Sequence, residues 1–321
     1  MSVRKEIILA EKKLVDEHVG QIESLVSRVS EIILDKKKEI ELAVICLLAG
    51  GHLLIEDVPG VGKTTLVQAL ARLTGLKNKR IQFTIDLLPS DILGGPIYNQ
   101  RDQKFEFFSG PIFSQLILAD ELNRASPRTQ GALLQAMEEY QVSIDGETHH
   151  LPKPFFVIAT QNPHQQQGTF PLPESQLDRF LMSLELNYPS PSVEVEIFKS
   201  RDSREKLAEV VAILNDHDLL RIQNQVQGVK VPHVVAEYVS QLLQNSRNIK
   251  GNALPLSTRA GIGLVRAAKA NAFLQGRNHL IPDDIQLVIV PVLAHRLGGN
   301  YGIRKGTEWA VALQKQTPVP V

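Results

Sequence analysis

Leu53-Leu54-Ile55-Glu56-Asp57-Val58-Pro59-Gly60-Val61-Gly62-Lys63-Thr64-Thr65 is the stretch on which the fold turns. An apolar run enters a turn built on Gly60 and Gly62, and Leu66 to Leu73 continues it as a helix. A strand, a glycine turn and a helix in that order aim successive backbone N–H groups at a phosphate, and the helix adds the positive end of its dipole. The expected ligand is ATP or GTP. Lys63 is placed to reach the β- and γ-phosphates, and Thr64 to offer its hydroxyl to Mg²⁺. Pro59, Gly60, Val61, Gly62, Lys63, Thr64 and Thr65 are therefore the expected nucleotide-binding residues. The usual pattern opens on glycine where this chain has Asp57. Gly60 and Gly62 keep the backbone freedom where the loop closes.

Four more short apolar runs read as buried strands: Arg80 to Phe83, Leu116 to Ala119, Phe155 to Ala159 and Phe180 to Leu184. Helical patterns separate several of them, which predicts a parallel sheet covered on both faces. Leu116-Ile117-Leu118-Ala119 ends in Asp120-Glu121, so the strand carries two carboxylates to the sheet's C-terminal edge, where open α/β folds bind ligands. Asp120 is expected to hold the hydrated magnesium beside Thr64, and Glu121 to polarise the water that attacks the γ-phosphate. Asn162, in Thr160-Gln161-Asn162-Pro163, follows the Phe155 run in the same way and is expected to position that water.

Composition bounds the partners. Lys plus Arg number 35 and Asp plus Glu 35, so no bulk charge argues for nucleic acid or an anionic membrane. The single cysteine, Cys46, lies in an apolar run and reads as a small buried hydrophobe, consistent with a reducing cytoplasm. The longest apolar stretch, Ala43 to Ile55, is broken by Gly50-Gly51-His52 and is too short to span a bilayer, so no membrane insertion is expected. Residues 1–188 are expected to form the nucleotide-binding core, with two inserted hairpins at about 96–108 and 141–151. The second turns at Asp145-Gly146, a favoured pair for a tight hairpin. His149 and His150 are expected to face solvent. After Tyr188-Pro189-Ser190-Pro191-Ser192, residues 189–321 read as an all-helical domain, with helices at Val193 to Ala212, Pro232 to Gln244, Thr258 to Gln275 and Asp283 to Leu297.

Taken together, the phosphate loop, Gly110-Pro111-Ile112-Phe113, Asp120-Glu121-Leu122-Asn123-Arg124-Ala125, Thr160-Gln161-Asn162-Pro163, Leu172 to Phe180 and Ser257-Thr258-Arg259 resemble an AAA+ ATPase of the MoxR family, from about Ile33 to Leu297. The resemblance implies ATP rather than GTP and a sheet of order 5-1-4-3-2 with a helical lid. It also implies a homo-oligomeric, hexameric ring with active sites between neighbours. By resemblance Arg179 is the arginine finger offered to the next subunit and Arg259 the lid arginine that couples phosphate state to domain angle. Arg124 and Arg128 are rivals for the finger. Apart from the resemblance, Thr84 at the tip of the second strand is placed to hydrogen-bond Glu121 and hold it inactive until a client binds, the alternative being a buried strand-end threonine. The implied role is a chaperone-like remodelling, assembly or cofactor-insertion factor acting on a protein client with a von Willebrand factor A domain partner. A helicase-type nucleic-acid motor is the second reading. Its hairpin tip calls for Lys or Arg, whereas Ile144-Asp145-Gly146-Glu147 is acidic. The motor subunit of a metal chelatase is the third.

Overall fold

The computed structural model describes residues 2–57, 60–162, 168–199, 203–248 and 253–320. Val58, Pro59 and Pro163 lie outside them. Nine strands are present among the described residues: β1 Leu53–Glu56, β2 Asn78–Gln82, β3 Gly94–Asn99, β4 Lys104–Ser109, β5 Leu116–Asp120, β6 Gln141–Ile144, β7 Glu147–His150, β8 Phe156–Gln161 and β9 Met182–Leu184. Five of them form a parallel sheet in the order β2-β5-β8-β1-β9. Counted as core strands along the chain, this is the order 5-1-4-3-2 that the resemblance implied. All residues of β1, β5, β8 and β9 are buried, as strands covered on both faces must be. The expectation of a buried strand over Arg80 to Phe83 is corrected: β2 lies at the sheet edge and only Ile81 of its residues is buried.

The period-two alternation of the strands divides the core into two layers. Leu53, Ile55, Leu116, Leu118, Phe156 and Ile158 face one way, onto the helices Lys37–Leu48 and Lys63–Leu73 and on to apolar residues of the later helices. Leu54, Ile117, Ala119, Val157 and Ala159 face the other, with Leu133, Leu134 and Met137 of the helix Pro127–Glu139.

Both hairpins form. β3 pairs with β4 and β6 with β7, antiparallel. Asp145 and Gly146 both have positive φ, 50° and 84°, the geometry a tight two-residue hairpin turn requires. The expectation for His149 is corrected. Its ring stacks on Phe107 at 3.8 Å between centroids, so it joins the two hairpins instead of facing solvent.

Beyond Tyr188 the described elements are helical. The helical pattern expected over Val193 to Ala212 stops short of its end. The described helical residues are Pro191–Lys199 and Ser203–Ala208; the helix ends before Ala212, and the chain then docks on the core, where the N–H groups of Ile213 and Leu214 donate to the Leu73 carbonyl at 2.8 and 3.1 Å. Two helices join those expected, Asp216–Gln227 and Gly302–Gln316. Asn215 and Asp218 start the first through a capping box in which each side chain accepts the other's backbone N–H.

Candidate active site

The phosphate loop is built as an anion cradle. Gly60 and Gly62 have φ of 88° and 93°, and a Cβ built on either would meet nothing within 4 Å, so the loop backbone is open to a ligand. Gly62 caps the helix Lys63–Leu73 with no side-chain hydrogen bond, leaving its first N–H groups to an anion. These features fit a nucleotide phosphate. Lys63 Nζ donates to the Asp57 carbonyl at 2.9 Å. Burial lowers the Lys63 pKa, and the charges of Asp57, Asp120 and Glu121 oppose that shift.

Asp57 explains the departure from glycine. Its carboxylate is buried and Oδ2 accepts the backbone N–H groups of Leu186 and Asn187 at 2.6 and 2.7 Å. The loop is thereby tied to the chain leaving β9.

Asp120 and Glu121 stand beside the loop, at the C-terminal end of β5. Asp120 Oδ1 accepts from the Thr160 hydroxyl at 2.6 Å, while Oδ2 accepts from Arg80 Nε at 3.2 Å and Nη2 at 2.6 Å. A carboxylate that already gathers a cation and a hydroxyl, near the Thr64 helix start, has the chemistry of a Mg²⁺ site. Glu121 sits at φ 56°, its N–H bonded to Thr160 Oγ1 at 2.8 Å, a left-handed turn that throws the side chain off the strand. Its Oε2 accepts from Gln82 Nε2 at 3.0 Å and meets Arg124 Nε at 3.1 Å. The expectation for Thr84 is corrected, because Thr84 is exposed and bonds Asp86 instead. Gln82, opposite Asp120 in the strand register, holds Glu121.

Asn162 is buried at the end of β8, its backbone locked to Asn123 by bonds of 3.2 and 3.0 Å. Its Nδ2 finds no acceptor among the described residues.

Arg179 and Arg259 lie elsewhere. Arg179 precedes β9, and Met182 of β9 is level with Leu53, the first residue of β1, whereas the phosphate loop follows the last. The strand between them spans roughly 13 Å at the usual rise per residue. Arg179 Nε pairs with Glu138 Oε2 at 3.1 Å, and Arg259 Nη1 with Glu138 Oε1 at 2.9 Å. Asp178, the partner adjacent in sequence to Arg179, is held instead by buried Arg296 at 2.6 Å, with Arg259 Nε at the longer distance of 3.9 Å. Burial lowers the Arg296 pKa and Asp178 counters it. The two arginines thus converge on one carboxylate at the edge opposite their own phosphate loop. Arg124 stays with Glu121 at the loop's edge, and Arg128 lines a cleft with Gln135, Gln176 and Arg179.

Sequence reading missed Arg80, Gln82, Glu138 and Arg296. Arg80 and Gln82 carry a signal, polar residues two apart on the strand beside Asp120, whereas Glu138 and Arg296 are paired only by the tertiary fold.

Comparison with known proteins agrees with this geometry. The model of the ATPase family associated with various cellular activities (AAA) matches residues 52–182, and that of the AAA lid domain matches 245–310. Chaperone MoxR1 of Mycobacterium tuberculosis is 41% identical over 292 residues, 88% of this chain and 77% of that one. The uncharacterized protein YeaC of Bacillus subtilis is 44% identical over 272 residues, 85% of each chain. A crystal structure of a Cytophaga hutchinsonii protein described as a candidate ATPase matches with a TM-score of 0.88 at 36% identity, covering 98% of this chain and 99% of that one. A phosphate loop, an acidic strand end, a lid and these relatives meet in one assignment: the chain belongs to the MoxR family of AAA+ ATPases.

Proposed function

We propose that this ATPase is a chaperone-like remodelling motor that hydrolyses Mg·ATP at sites shared between neighbouring copies in a ring, hexameric by family resemblance. The observation that carries the reading is the convergence of Arg179 and Arg259 on Glu138, at the sheet edge away from their own phosphate loop. A guanidinium there serves the γ-phosphate of the next copy, where it neutralises charge that develops in phosphoryl transfer.

Within one copy the loop N–H groups and Lys63 bind the phosphates. Thr64 and Asp120 would hold Mg²⁺, which would supply positive charge to offset that of the phosphates. Glu121 polarises the attacking water once Gln82 and Arg124 let it go, and the Asn162 amide, whose Nδ2 finds no acceptor among the described residues, orients that water or a γ-phosphate oxygen. A domain boundary at 188/189 is part of the proposal. Asp57 reports the state of the loop to Leu186 and Asn187, and Ser190, whose N–H is held by Asp35 at 2.8 Å, lies in the segment that turns.

The hairpins supply the working surface. Ile97, Tyr98, Phe105 and Phe108 are exposed on the first, an apolar face suited to a protein client or to a von Willebrand factor A domain partner in assembly or cofactor insertion. The acidic tip of the second argues against a nucleic-acid track. No helix among the described residues is long and apolar enough to cross a membrane, and a cytoplasmic setting is part of the same proposal.

Two variants test the chemistry. Lys63→Ala should abolish nucleotide binding measured with a fluorescent ATP analogue. Glu121→Gln should bind normally and lose turnover by a factor of about 100 or more. Retained turnover in Glu121→Gln would remove Glu121 as the base.

A further inference from the structure

The acid that the proposed function assigns to the metal is already engaged by a cation of the chain itself. Arg80 places two N–H groups, Nε and Nη2, on the single oxygen Oδ2 of Asp120. A carboxylate oxygen offers two lone pairs, and this contact uses both. The other oxygen is committed to Thr160. The same Nη2 also donates to Gln82 Oε1 at 2.7 Å, a contact the guanidinium gives up together with Asp120 when it moves. Arg80 is 54% exposed against 13% for Asp120, so the carboxylate is fixed by the fold and the guanidinium is the partner free to leave. A cleft of about 530 Å³ lined by Thr64, Gln68, Asn78 and Arg72 lies beside it; Arg72 is turned to the Leu207 carbonyl at 2.6 Å, and Thr64, Gln68 and Asn78 are the polar side chains that can receive the guanidinium.

We infer that Arg80 is a positioning residue that competes with the divalent cation for Asp120, so that metal loading requires the guanidinium to swing away from the carboxylate. The inference rests on the reading of Asp120 as the metal-holding acid. Its physics is that of two cations and one carboxylate. While Arg80 is docked, a hydrated Mg²⁺ meets a like charge and an oxygen whose acceptor sites are filled. With Arg80 withdrawn, the acid is available to the metal's water shell.

Mn²⁺ serves as the probe, its free concentration read by electron paramagnetic resonance during titration of the protein–ADP complex, with no hydrolysis involved. Arg80→Gln should bind Mn²⁺ about two- to fivefold more tightly than wild type, the range expected for losing a half-exposed ion pair. Arg80→Lys, which keeps the charge but not the paired N–H geometry, should fall between the two. Asp120→Asn tests the underlying assignment. It should weaken Mn²⁺ binding, and in its presence Arg80→Gln should no longer change the affinity. Unchanged or weaker Mn²⁺ affinity in folded Arg80→Gln, with Asp120→Asn still weakening it, would overturn the competition alone. Unchanged affinity in Asp120→Asn would overturn the metal assignment with it. Should Arg80→Gln fail to fold, Arg80→Lys carries the test, and affinity no tighter than wild type overturns the inference.

Discussion

Asp57 ties together two segments far apart in the chain. Its Oδ2 satisfies two backbone donors, Leu186 and Asn187, and its carbonyl receives Lys63. Asn187 has φ 56°, an uncommon backbone for a non-glycine residue and one that the paired hydrogen bonds help to hold. Asp57→Ala should therefore cost about 1–3 kcal/mol in urea unfolding, because it strands the buried Leu186 N–H and removes the bond to exposed Asn187. Asp57→Asn, whose amide oxygen still accepts, should recover part of that. A loss under about 0.5 kcal/mol for the alanine variant would show that the tie is dispensable. At this scale the sequence revealed what is local. The phosphate loop and Asp120-Glu121 are contiguous motifs, and each announces itself by residue type and by the strand that carries it. Asp57 itself was visible only as a departure from pattern. The partners Gln82 and Arg80 required the strand register, and Glu138 required knowing where the helix Pro127–Glu139 ends.

Four of the five sheet strands were legible because burial on both faces leaves no choice but continuous apolar runs, whereas the edge strand Asn78–Gln82 is exposed except at Ile81. The second hairpin was legible because Asp145-Gly146 suits the positive φ of its turn. The helix Gly302–Gln316 was not, since Gly302 and Gly306 lower local helix propensity. Its reason is tertiary. A Cβ on Gly306 would stand 1.8 Å from the Ala294 carbonyl oxygen of the neighbouring helix Pro282–Gly298, so the glycine is what lets two backbones touch. Gly306→Ala gains at most about 1 kcal/mol of helix propensity and meets an obstacle of backbone, not of a flexible side chain. It should lower stability by about 1–3 kcal/mol net, seen as a drop in the unfolding midpoint. A midpoint that rises would mean the helices are not packed this closely.

Over the whole molecule, one apolar cluster runs from Ile22 through one face of the sheet to Leu313, so the amino-terminal helices, the sheet and the carboxy-terminal helices share a core. The apolar surfaces bring the helix Thr258–Leu274 against that core, which places Arg259 beside Arg179 on Glu138. That placement sets both arginines away from their own nucleotide loop and, on the proposed reading, gives a single copy an incomplete hydrolytic centre. The resemblance implied a shared site, but nothing local in Leu177-Asp178-Arg179-Phe180 says which way the arginine faces. Mixing tests it most directly. Arg179→Ala and Lys63→Ala should each be inactive alone, and their mixture should regain part of wild-type ATP turnover, about one quarter at equal amounts if each site needs one loop and one neighbouring arginine assorted at random. No recovery in mixed assemblies, or full turnover by a strictly monomeric wild-type protein, would contradict the account.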